Sequence, residues 1–206
     1  MARQVKLTKV LSEIAELMDC ASQEYACKII ANLTRHHGNT KYLVLEDQKI
    51  VPALLKASYS KNDETRKYIC FALQNLCHDS CCRRELADTE DFLHTLCVRI
   101  RQAYNHDERL AAIYALKNLT EEPGTLIAMS STPECFPTLM QIADARDDNV
   151  TEMMRYIGCD ALANLSHWFR ILATKAKNFD DEKLGTTICN DLLVPSLNQI
   201  AWEQWK

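Results

Sequence analysis

The stretch Ile113-Tyr-Ala-Leu-Lys-Asn-Leu-Thr120 decides the reading of this chain, because it recurs. Cys27-Lys-Ile-Ile-Ala-Asn-Leu-Thr34, Cys70-Phe-Ala-Leu-Gln-Asn-Leu-Cys77 and Cys159-Asp-Ala-Leu-Ala-Asn-Leu-Ser166 repeat its pattern. The shared asparagines Asn32, Asn75, Asn118 and Asn164 are 43, 43 and 46 residues apart. A period of this size predicts stacked helical units, none of which can bury its apolar face alone.

Flanking residues keep the same register. Thirteen positions before each Asn stand Asp19, Asn62, Asn105 and Thr151, side chains that accept hydrogen bonds from the free N–H groups of a helix start. Nine positions before it stand Gln23, Arg66, Arg109 and Arg155. Farther upstream a second apolar helix opens at Lys9-Val10-Leu11, Pro52-Ala53-Leu54, His94-Thr95-Leu96 and Pro137-Thr138-Leu139. Pro suits a first helical turn, which needs no N–H. Val194-Pro195-Ser196-Leu197 reads as a fifth start. Shorter helical pieces, Asn39–Leu45 and Arg83–Ala87, lie between, so each unit reads as three helices.

At about 100° per residue, the third helix sorts into two faces. Two, five and six positions before the Asn lie Ile30, Leu73, Leu116 and Leu162, then Cys27, Cys70, Ile113 and Cys159, then Ala26, Ile69, Ala112 and Gly158. This is an apolar packing face. The Asn side carries Tyr25, Tyr68, Phe71, Tyr114 and Trp168 with Lys28, Arg35 and His78. Aromatic side chains on a solvent-side stripe are what protein interfaces use as anchors. The arginines fall about 180° from the Asn and read as structural bridges between repeats.

These motifs resemble armadillo repeats, whose third helix reads Ala-Leu-x-Asn-Leu-Ser/Thr. Residues 71–77, 114–120 and 160–166 match it closely, and 29–34 matches with Ile for Leu. The resemblance implies an all-α, right-handed superhelical solenoid of about four repeats plus a partial fifth. It spans residues 1–206 as one domain, with repeats at 4–38, 39–80, 81–122, 123–168 and 169–206. The Gly-Gly turn that often precedes the second helix is missing, and 175–185 reads as an inserted loop. In the family the third helices line a concave groove where the Asn hydrogen-bonds an extended peptide. Carried over, the groove is Asn32, Asn75, Asn118 and Asn164 with Tyr25, Lys28, Tyr68, Phe71, Tyr114, Arg35, His78 and Trp168. The alternative for each Asn is tying down its own neighbouring loop. Importin-type grooves carry Trp four positions before the Asn, where this chain has Lys28, Phe71, Tyr114 and Asp160. The implied partner therefore offers aromatic or aliphatic anchors and mixed charge, not a run of Lys and Arg.

Composition narrows the function classes. The net charge of −4 offers no overall basic excess for nucleic acid. No apolar run reaches the ~18–20 residues of a membrane span. Charges spread through residues 1–19 leave no secretion-signal centre. The expectation is an intracellular protein, cytoplasmic with the nucleus as second choice, whose ten cysteines are reduced. Cys27, Cys70 and Cys159 share a position with Ile113, which indicates packing. Cys77-His78-x-x-Cys81-Cys82 lacks a second pair at zinc-finger spacing, so no metal is expected. No Gly-rich phosphate loop and no nucleophile motif occurs, so neither a cofactor nor catalysis is expected. A protein-binding scaffold is the leading expectation. An accessory or assembly-chaperone subunit, gripping through the convex face or the ends, is the second. Leu197, Ile200, Trp202 and Trp205 lie on a last apolar segment suited to self-association or to a longer solenoid.

Overall fold

The computed structural model describes residues 2–17, 21–47, 49–144 and 150–178. These form eleven α-helices, one π-helical turn and one 3-10 turn, with no strand among them. The chain is all-α. The order is α1 (Ala2–Ala15), α2 (Ala21–Leu33), α3 (His37–Lys41), the π turn Tyr42–Glu46, α4 (Ile50–Ala57), α5 (Asp63–His78) and α6 (Arg83–Asp88). It continues with α7 (Phe92–Gln102), α8 (His106–Thr120), the 3-10 turn Pro123–Thr125, α9 (Leu126–Ser131), α10 (Cys135–Ala143) and α11 (Glu152–Asn178).

Local chemistry sets the helix starts. Asn62 Oδ1 accepts from the N–H groups of Glu64 (2.9 Å) and Thr65 (3.2 Å), and Asn105 Oδ1 from those of Asp107 (2.8 Å) and Glu108 (3.3 Å). Each cap is followed by two acids, which favour the positive end of the helix dipole. Thr151 Oγ1 accepts from Met154 N at 3.4 Å. The caps expected at 62, 105 and 151 are thus in place, while Asp19 lies outside the described residues.

The second helices begin earlier than their prolines suggest. α4 opens at Ile50 and α10 at Cys135, so Pro52 and Pro137 take the third position, still within the turn whose N–H groups have no intrahelical partner. α1 opens at Ala2, not near Lys9, and α7 at Phe92, not His94. Asp91, with φ at 60°, makes the left-handed turn into α7. It stands where a Gly would be expected, and Asp is among the few L-residues found there. α11 runs on to Asn178, so the loop read over 175–185 does not begin at Lys175. Its remainder, Val194–Leu197 and the residues Ile200, Trp202 and Trp205 lie outside the described residues.

The long helices stack in series, α2 against α5, α5 against α8 and α8 against α11. α1, α7 and α10 back α2, α8 and α11 in turn. One apolar core runs through the contacts. Ile30, Ile69, Leu73, Leu76, Leu116 and Leu119 are fully buried in it. Gly158 lies where α10 and α11 approach most closely, since a Cβ there would stand 2.8 Å from Ile142 Cγ2.

Candidate functional site

The four asparagines all sit on the long helices, but in different states. Asn32 is exposed, Asn75 and Asn164 are half-buried, and Asn118 is 8% exposed. The gradient follows the stack. α8 is flanked by α5 and α11, whereas α2 has a long-helix neighbour on one side only. The open face expected along the whole series is therefore wide at α2 and narrow at α8.

Their hydrogen bonds divide them again. Asn75 Nδ2 donates to Ala31 O (3.1 Å) and Thr34 Oγ1 (3.2 Å), so both its N–H groups serve the preceding helix. Asn164 Nδ2 donates to Thr120 Oγ1 at 3.1 Å. The Asn118 side chain makes no hydrogen bond among the described residues. The cause is legible one unit upstream. Two positions after the preceding Asn stand Thr34, Cys77 and Thr120, and only beneath Asn118 is that residue a thiol. A thiol is a weak acceptor where the threonines offer a hydroxyl. Tying down a neighbour, the alternative open for every Asn, thus describes Asn75 and in part Asn164. Asn118 keeps a complete donor–acceptor amide.

The other residues of the expected groove fall into two clusters. At α2 and α5, Lys28 Nζ stands over the Tyr68 ring, 5.4 Å from its centroid, and Tyr68 meets Phe71 edge-on at 6.5 Å. Tyr25 beside them is 64% exposed, and Arg35 is also exposed. At α8 and α11, the half-buried Trp168 donates Nε1–H to Thr120 O at 2.9 Å. Tyr114 is half-buried. His78 is exposed, its ring 5.5 Å from that of His37.

Charge is arranged between these clusters. Lys117 Nζ pairs with Glu121 and, at 3.3 Å, with Asp160. Arg83 Nη2 meets Glu121 Oε2 at 2.8 Å. Burial opposes ionisation of Glu121, but Lys117 and Arg83 outweigh it and hold the carboxyl below its ordinary value. Asp79 is also held low. Its burial is overcome by the Thr40 hydroxyl at 2.7 Å, Cys81 N–H at 3.1 Å and His37.

On the opposite side, the repeated arginines turn to main-chain carbonyls in the loop ahead of their own helix. Arg66 Nη1 donates to Ser60 O (2.8 Å), Arg109 Nη2 to Ala103 O (3.0 Å) and Arg155 Nη2 to Val150 O (2.7 Å). Gln23 Nε2 donates to Ala15 O, at the end of α1, at 2.9 Å. Arg66 also joins α5 to α8, through Glu108 at 3.3 Å.

Of the cysteines, Cys27, Cys70, Cys77, Cys82, Cys97 and Cys135 are buried thiols, while Cys81 and Cys159 are exposed. Burial pushes the Cys27 thiol up to about 12 and the Cys82 thiol up to about 11. Among the described residues no group of three His, Cys, Asp or Glu is placed to hold a metal. No helix among them is long and apolar enough to cross a membrane.

Sequence reasoning missed Ile29, Met153 and Tyr156, exposed apolar residues on α2 and α11. It also missed a basic cleft between the α4–α5 and α7–α8 loops. The visible signal was the density of Lys, Arg and Tyr at 59–61 and 99–104.

No family model and no curated protein matches the chain. Among solved structures it is similar to the crystal structure of an engineered protein, with a TM-score of 0.63 and 17% identity. The match covers 88% of this chain and 75% of that one. At this identity the likeness speaks for the helical fold alone.

Proposed function

We propose that this chain is an armadillo-type, right-handed superhelical solenoid of about four repeats with a partial fifth. It works as a protein-binding scaffold in the cytoplasm or the nucleus, not as an enzyme. An extended peptide or a partner domain lies across the face built by α2, α5, α8 and α11. The observation that carries this reading is Asn118, an amide with no protein partner among the described residues, set on the helix that also bears Tyr114. Such an amide can satisfy one C=O and one N–H of a guest backbone. Tyr25, Lys28, Tyr68 and Phe71 then supply apolar and cationic contacts farther along.

Capture from cell extract with the wild type and with Asn118→Ala/Tyr114→Ala tests it. The double variant removes no side-chain hydrogen bond from the fold, unlike Asn75→Ala, which would remove those to Ala31 O and Thr34 Oγ1. Loss of partners from the double variant supports the groove. An unchanged partner list refutes it.

A second reading, an accessory or assembly-chaperone subunit gripping through one end, is favoured by α11. Cys159 is exposed there, while Cys27, Cys70 and Ile113 at the same repeat position are fully buried. Tyr156, 71% exposed, and Met153 lie on the same helix. Tyr156→Asp would abolish partner capture on this reading and spare it on the first.

A further inference from the structure

A cleft of about 740 Å³ opens between the loops that join α4 to α5 and α7 to α8. Lys61, Arg66, Arg99, Arg101 and Arg109 line it, and no Asp or Glu does among the described residues. In a chain of net charge −4 this concentration of cations is local. Of its wall residues, Arg66 and Arg99 share the Glu108 carboxylate, and Arg66 also meets Asp63. Asp107 lies beside His106 at the rim.

Arg99 is the informative member. It is buried, yet its Nε has no hydrogen-bond partner. Nη1 reaches Glu108 Oε1 at 3.5 Å and Nη2 reaches Gln102 Oε1 at 3.0 Å. Its guanidinium lies over the Tyr59 ring, 5.7 Å from the centroid, which orients its plane. Arg101 is exposed and makes no ion pair among the described residues. Tyr104, 96% exposed, stands at the edge of the cleft. Cations in the last turn of α7 offset its carbonyl dipole, which accounts for Arg99 and Arg101, while Arg66 and Arg109 also hold the carbonyls of Ser60 and Ala103 from α5 and α8.

We propose that this cleft binds a phosphate monoester, carried on a side chain of a protein partner. Converging guanidinium groups match the charge and the oxygens of a phosphate better than those of a single carboxylate. The volume suits a phosphorylated side chain with its flanking residues. Nucleic acid fits less well, because the cations are confined to one cleft instead of forming a track along a backbone. The site is separate from the asparagine face, since Arg66 and Arg109 project from the opposite side of their helices.

Fluorescence anisotropy of the full chain with a labelled phosphotyrosine peptide tests this, with its unphosphorylated twin, inorganic pyrophosphate and a short oligouridine as comparisons. The phosphopeptide should bind at least ~10-fold more tightly than its twin, and added salt should weaken it. Arg101→Gln should weaken binding ~10-fold with the thermal melt unchanged, and Arg99→Lys should weaken it by removing the fork while keeping the charge. Asn118→Ala should bind as wild type, so failure of the groove reading leaves this result standing. Competition by pyrophosphate supports the phosphate site. Binding of pyrophosphate with no phosphopeptide binding assigns the same site to a free phosphate. Equal binding of the twin, indifference to both arginine variants, or preference for oligouridine overturns the proposal.

Discussion

Glu108 offers the sharpest test of how the units are joined. Its carboxylate is fully buried and faces Arg66 Nε at 3.3 Å and Arg99 Nη1 at 3.5 Å. Burial raises its pKa above the ordinary carboxylate value even with these two guanidiniums beside it. The ion triad is therefore a costly arrangement in itself: the Glu108 carboxyl holds its proton to higher pH in the fold than in the unfolded chain, so stability falls as pH rises through that raised value. Removing one member is another matter. In Glu108→Ala, Arg66 keeps Ser60 O and Asp63, but Arg99 keeps only Gln102 for a guanidinium whose Nε already lacks a partner. Breaking a buried pair from one side costs about 3–5 kcal/mol. For a chain of this size that corresponds to roughly 6–20 °C in Tm. Urea titration followed by circular dichroism measures it. Arg66→Met/Arg99→Met/Glu108→Leu, which replaces the triad by apolar side chains, should recover most of the loss. A Glu108→Ala variant within about 1 kcal/mol of wild type, or a triple variant worse than the single one, would refute the reasoning.

Three further expectations follow from the packing, the turn and the electrostatics. Gly158→Ala should lower the melting temperature despite a helix-propensity gain of about 1 kcal/mol, because its Cβ meets Ile142 Cγ2 at 2.8 Å. Adding Ile142→Leu, which removes that branch, should restore part of the stability. Asp91→Gly should raise the urea midpoint, by about 1 kcal/mol of stability, since a residue at φ 60° is strained unless it is Gly. Asp79, held below its ordinary pKa, contributes stability that is present above the unfolded value and lost as pH falls through the folded one. Asp79→Asn should therefore be less stable than wild type at neutral pH, with the gap closing below about pH 4 in urea titrations.

Much of this arrangement could be read from local chemistry. Asn62 and Asn105 cap α5 and α8 because a cap needs only its own next residues. Leu73, Leu116 and Ile69 are buried because a helix face is set by spacing within one helix. What depends on two units at once was not foreseen. Whether an Asn is tied depends on the residue two positions past the previous Asn, and Cys77 in place of Thr leaves Asn118 unbound. Cys159 repeats the identity of Cys27 and Cys70, yet it is exposed where they are buried. The Arg99–Tyr59 contact joins side chains forty residues apart, one on α7 and one just past α4, and no periodic pattern encodes such a meeting.

Site-specific photocrosslinking tests most directly where a partner lies. A benzophenone amino acid placed at Tyr114 on α8, and separately at the exposed Ile127 on α9, is irradiated in cell extract. Partner crosslinks from position 114, absent from 127 and suppressed by Asn118→Ala, are the predicted result. Crosslinks from position 127 with none from 114 would contradict it.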